Sequence, residues 1–226
     1  MASDVDICNE ALSHLGDSAT VSSISPPEGS AQAEHCARFY PSALVSLLEM
    51  HSWGFATRRS ALAQVANPST TWAYAYALPS NTVTLLSILA ADAADDYSSP
   101  GQASGVSYDS PYTQNPNLGG AYTPQRFSVE TDDSGNDIIL TNQVTAVARY
   151  TALVTDTTKF SPLFRETLAW MLASKLAGPV LMGDTGRRAA LSCMQTAMMW
   201  FAKATNSDAS SRKADPQHQV SWLNAR

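Results

Sequence analysis

Two segments with helical periodicity open this chain of 226 residues, two more close it, and a stretch of β-type alternation lies between them. That bracket constrains the fold more than any single motif. A helix with one apolar stripe must bury it against another element. The class these patterns give is α+β. The expected divisions are 1–56 for the opening helices, 57–155 for the β-rich stretch, 156–206 for the closing helices and 207–226 for an extended C-terminal tail.

The first helix is predicted over residues 4–15. Ser3 or Asp4 caps it, Gly16 stops it, and Val5, Cys8, Ala11, Leu12 and Leu15 share a face. A turn-rich connector follows, with Val21 and Ile24 as its apolar anchors. The second helix is predicted from about residue 30 to 52, with Cys36, Tyr40, Leu44, Leu47, Leu48 and His51 at helical spacing. Pro41 falls in its middle, which predicts a kink or break near Tyr40. Ser161, Pro162 and Gly183 delimit a third helix over about 162–182. A fourth runs over about 184–205, with Ala190, Met194, Ala197, Met198 and Phe201 on one face and many small residues that allow close helix approach.

In the middle, residues 71–78 alternate large and small up to Pro79, which reads as a strand, and residues 82–89 read as another. Residues 127–130 and 137–140 read as a hairpin turning on Asp133-Ser134-Gly135-Asn136. Residues 144–154 give one more β-rich run. Residues 90–123 have no apolar period and are predicted to form a long loop. It carries Tyr97, Tyr108, Tyr112 and Tyr122, which read either as contact residues or as incidental members of a disordered insertion. The tail is polar until Val220-Ser221-Trp222-Leu223. Such a pair of large apolar residues either folds back or docks on a partner, and the long polar spacer before it favours docking.

Composition narrows the function classes. Charged residues make up 15% of the chain, against about 25% in soluble domains. A surface poor in charge suits extensive subunit contact, although an Ala/Ser-rich composition alone gives the same figure. The net charge of −6 leaves no basic footprint for tight sequence-independent DNA binding. Cys8, Cys36 and Cys193 are widely spaced, odd in number and in no metal-ligand pattern. They read as small buried hydrophobes made in a reducing cytoplasm. No basic-then-apolar leader and no long apolar run are present, so neither a secretory signal nor a membrane span is expected.

Catalytic and metal motifs fare no better. His35-Cys36 lacks a matching ligand one helical turn away, and His14, His51 and His218 are scattered, so no metal site is expected. Phosphate loops, dinucleotide fingerprints and nucleophile elbows are absent. The acids Asp92, Asp95 and Asp96, and Asp132, Asp133 and Asp137, sit in turn-like contexts. They read as solvated turn acids rather than a cation site or glycosidase pair. The expectation is a protein that is not an enzyme and carries no cofactor.

Several stretches together resemble the phage tail tubular protein A family, the head-to-tail adaptors of short-tailed phages. At the front these are residues 9–16 (Asn-Glu-Ala-Leu-Ser-His-Leu-Gly), Ala31, Ala33, Ala37, Arg38 and Tyr40, then Leu47-Leu48 and the aromatic exit Trp53-Gly54-Phe55-Ala56. In the middle is Tyr76-Ala77-Leu78-Pro79. At the back are Arg149-Tyr150, Asp156, Phe160, Pro162, Phe164, Leu168, Leu172, Ala173, Leu176 and Ala177. Each motif alone is mostly core pattern, and their order along the chain carries the resemblance. Pro41 and the loop 90–123 depart from it.

The resemblance implies a helical bundle formed by the N- and C-terminal helices, with an inserted β-rich domain and an extended C-terminal tail. It further implies a ring of twelve subunits under the portal, with a nozzle protein similar to tail tubular protein B on the far side and attachment of a tail fibre or tailspike. DNA would pass through the lumen without specific binding, no cofactor or membrane would be involved, and the protein would reside in the virion at the head–tail junction. It places portal contact on the end of the fourth helix and the tail, at Lys203, Val220, Trp222, Leu223 and Arg226. Nozzle or fibre contact falls to Tyr97, Tyr108, Tyr112 and Tyr122. Arg187 and Arg188 are expected to face a neighbouring subunit. A tail-associated cell-wall hydrolase and a non-viral helical binding module are the competing readings.

Overall fold

A computed structural model describes residues 3–18, 20–91 and 125–211. Among these the chain is mixed α+β, with four α-helices and two antiparallel sheets. It divides into two compact units. One takes the described residues up to Leu47, then Trp53–Phe55 and those from Asp156 onward; the other takes Leu48–Ser52 and those from Ala56 to Thr155.

The helical unit starts with α1, Asp4–His14. Ser3 caps it in a reciprocal box: its hydroxyl accepts from the Asp6 amide and its own amide donates to the Asp6 carboxylate. Gly16 leaves the helix at φ +76°, a conformation natural to glycine. The Asn9 side chain then holds the connector by bonding both the amide and the carbonyl of Val21 at 2.7 and 2.9 Å. Val21 and Ile24 are buried as its anchors.

Helix α2, Ala31–Met50, runs through Pro41, so of the kink or break expected near Tyr40 the break does not occur. The buried face Ala33, Cys36, Tyr40, Ala43, Leu44 and Leu47 continues on both sides of the proline. Pro41 itself is exposed, so the carbonyl its missing N–H leaves free lies on the wet side of the helix. Helix α3, Pro162–Leu181, has Ser161 as N-cap and proline in its first turn.

The stop between α3 and α4 (Gly183–Ser210) falls at Met182 and Gly183, which both take positive φ, 52° and 55°. Gly183 is thus at the expected glycine stop and is also the first residue of α4. The two helices pack along each other. At Gly186 the approach is so close that a Cβ would sit 2.7 Å from the Ala177 carbonyl oxygen. At the other end of the pair an aromatic cluster fills the core. Trp53 meets Phe164 edge-on at 4.9 Å and Phe201 at 6.1 Å, and Phe55 meets Phe164 at 5.0 Å and Phe160 at 5.5 Å. The Trp53 indole donates to the Leu47 carbonyl at 2.9 Å, so its one polar atom is satisfied in the core.

The β unit contains a three-stranded sheet, β1 (Thr57–Ala61), β7 (Ala146–Ala152) and β4 (Thr82–Ala90), in the order β1-β7-β4. A four-stranded sheet has the order β2-β3-β6-β5, from β2 (Gln64–Val65), β3 (Tyr74–Ala77), β6 (Asp137–Thr141) and β5 (Phe127–Thr131). Tyr76 and Ile139 of the second sheet cluster with Ile88, Ala148 and Tyr150 of the first, which makes one shared core. Strands β5 and β6 form the expected hairpin with Thr131 opposite Asp137 and Gly135 at φ +83°. Strands β1 and β2 were not expected from the sequence.

Candidate functional site

Helix α1 places Glu10 and His14 four residues apart, which stacks them on one face. Helix α3 packs against α1 and brings Glu166 to the same place. One ligand atom from each of the three side chains lies within 4.8 Å of the others. Trp170, one turn beyond Glu166, fixes both partners. Its indole N–H donates to Glu166 Oε1 at 2.9 Å, and its ring stacks on His14 at 3.7 Å with an interplanar angle of 8°.

The electrostatics follow from this crowding. Burial, followed by the neighbouring Glu166 carboxyl, raises Glu10 above the ordinary glutamate range, and the Arg165 guanidinium opposes the rise. Burial lowers His14 below the ordinary histidine range, with Glu166 acting against it. Neutral imidazole is the form in which histidine ligates metals. Its Nε2 is buried and has no hydrogen-bond partner. The sequence reading treated His14 as one of several scattered histidines; the fold gives it two carboxylates. Two of the three, Glu10 and His14, are one helical turn apart in sequence, a spacing that could have been noticed. Glu166 arrives only through helix packing.

The remaining expected site residues are distributed as follows. Arg187 and Arg188 are exposed near the start of α4, and Arg187 pairs with Asp184 on its own helix. Lys203 is exposed, with its ammonium over the Trp200 ring at 4.1 Å. Tyr97, Tyr108, Tyr112, Tyr122, Val220, Trp222, Leu223 and Arg226 lie outside the described residues, as do Asp92, Asp95, Asp96 and His218. Asp132 is a turn acid: it accepts from the Ser134 and Asn136 amides at 2.9 and 2.8 Å, and these bonds hold its carboxyl below the usual range. Cys8, Cys36 and Cys193 are free and buried, and the first two meet across α1 and α2.

A second feature lies on the outer side of α4. Its inward face holds Gly186, Cys193, Ala197 and Ala204. The opposite face carries Leu191, Met194, Met198 and Met199, with Leu191 68% and Met199 52% exposed. From Ala189 to Ala202 the helix has no charged residue. The helix is therefore apolar on both sides, although only one side is covered within the described residues. Exposed apolar stripes of this kind mark interaction surfaces.

Among the described residues, no helix is long and apolar enough to cross a membrane. Compared with protein-family models and with curated proteins, the chain matches none.

Proposed function

We propose that this protein is a structural head-to-tail adaptor of a short-tailed bacteriophage. It forms a ring, twelve-fold as the tail tubular protein A resemblance implies, between portal and nozzle, and DNA passes through it without specific binding. It offers a platform for a tail fibre or tailspike and works through its surfaces rather than by catalysis.

The observation that carries this reading is the division of the chain. Residues from its two ends belong to one helical unit, and the segment from Ala56 to Thr155 belongs to a separate β-rich unit. That is the organisation the resemblance implies: a bundle closed by the C-terminal helices with a β-rich insertion. The uncharged outer face of α4 supports it further, since a ring subunit must offer a neighbour an apolar face. In this proposal Leu191, Met194, Met198 and Met199 meet the next copy of the chain, with Arg187 and Arg188 at the edge of that contact. Lys203 and the segment 207–226 face the portal.

The test is to mix the purified protein with the portal protein encoded beside it and image the particles by electron microscopy. The expected result is an extra ring on one face of the portal, lost when residues 207–226 are deleted. A portal left bare at high excess of the intact chain overturns the proposal.

A further inference from the structure

We propose that Glu10, His14 and Glu166 form a binding site for a divalent transition-metal ion that clamps α1 to α3. This site is independent of the adaptor proposal, and Glu166 reaches it only through the packing of α3 on α1.

Three observations carry it. The first is the donor set. One imidazole and two carboxylates within 4.8 Å of one another are ligands that zinc and its first-row neighbours accept. Ligands arranged tetrahedrally round an ion at bonds of about 2.1 Å are about 3.4 Å apart. Side-chain adjustments of under about 1 Å therefore close the set around an ion.

The second observation is the orphan nitrogen. His14 Nε2 is buried without a hydrogen-bond partner, although the Trp170 ring fixes the imidazole plane by stacking flat on it. A buried polar atom left unpaired is costly, and a bound ion or water is one of the partners that satisfies it.

The third is the outer support. The Trp170 indole N–H bonds Glu166 Oε1 at 2.9 Å and orients that carboxylate, which also meets the Glu10 carboxyl. Ligands oriented by such outer hydrogen bonds are the usual design of metal sites. Two carboxylates brought together in a partly buried seam also need a positive partner or a shared proton. Arg165 acts on Glu10 from the same helix as Glu166 but supplies no ligand, so it lessens the repulsion without filling the site. With three protein ligands, water completes the shell.

The rival occupant is a proton shared between Glu10 and Glu166, and the experiment separates the two. Untagged full-length protein is stripped with chelator, then titrated with Zn²⁺ by calorimetry and with Co²⁺ by visible absorption. The expected result is one equivalent bound per chain, Co²⁺ bands typical of nitrogen and oxygen ligands, and a higher Tm with metal present. His14→Gln and Glu166→Gln should each weaken binding at least about tenfold. Trp170→Phe keeps the stacked ring but removes the indole N–H, and should weaken binding by about 10- to 100-fold, as loss of an outer-shell partner does. It stands in for the ligand variants if either fails to fold. No stoichiometric uptake by the wild type, or uptake that His14→Gln and Trp170→Phe leave unchanged, overturns the proposal. In that case Glu10→Gln, which keeps a hydrogen bond to Glu166, should raise the Tm of the metal-free protein and identify the shared proton.

Discussion

At the scale of single residues, this protein uses short polar side chains to organise backbone and leaves its core to aromatics. Asn9 ties the first connector, Ser3 and Asp6 close the first cap, and Asp132 builds the β5–β6 turn. Asp132 yields a pH prediction. Its pKa is lower in the folded protein than the ordinary value of 3.8, chiefly through the Asn136 amide. A depressed carboxylate contributes stability that is present above its unfolded pKa and lost as pH falls through the folded one. The wild type should therefore melt above Asp132→Ala at about pH 6, and the gap should close in melts run progressively below 3.8. A gap that persists in acid would assign the effect to turn geometry alone. The caps and turn residues were legible in the sequence because their chemistry is local: a hydroxyl or carboxylate reaches an amide two to four residues away. The role of His14 was not, because Glu166 lies far along the chain and only packing of α3 on α1 brings it near.

At the scale of elements, the periodic segments were the readable ones. Helices α1 to α3 and strands β3 to β7 fall close to where apolar spacing and turn residues place them, whereas α4 runs on past its expected end near 205 to Ser210, so residues 207–210 are helix and not extended tail. Strand β1 was missed for a physical reason. It is an edge strand with Arg58 and Arg59 at its centre and no buried residue in its burial pattern, and charge on an edge strand protects the sheet from further pairing. Such a strand exists through its register with β7, Arg59 opposite Arg149 and Ala61 opposite Val147, not through its own pattern. Strand β2 has only two residues, too few to show alternation. Helix α4 supports a prediction at this scale. Leu191→Glu together with Met199→Glu places two charges on its outer face, where both native side chains are more than half exposed. The monomer should keep its Tm, since surface substitutions usually change stability by less than about 0.5 kcal/mol each. In the adaptor proposal, ring formation should be lost, as read by light scattering. Rings that persist with both charges present would remove α4 from the subunit contact.

At the scale of the whole molecule, charge sets how the chain should treat DNA. A net charge of −6 offers duplex phosphate little to bind, and a channel that passes DNA benefits from that. Fluorescence anisotropy with labelled duplex at about 0.15 M salt should show no binding in the micromolar range, where non-specific binders of duplex DNA typically bind. Binding that weakens steeply with salt would contradict the passage of DNA without specific contact. By itself the sequence determined the local and periodic properties: four amphipathic helices with their caps, the central hairpin, three cysteines inside helices, and the α+β class that follows from them. These depend on neighbours a few residues apart, so they are written in short stretches of chain. Tertiary structure alone decided that α2 runs through Pro41, because a continuous buried face outweighs one lost hydrogen bond. It also decided that Met182 joins Gly183 in the reversal between α3 and α4, that α4 carries an apolar face left uncovered within the described residues, and that Glu10, His14 and Glu166 converge. Each of these is a relation between residues distant in sequence, fixed by which surfaces the packed helices bury and which they leave open.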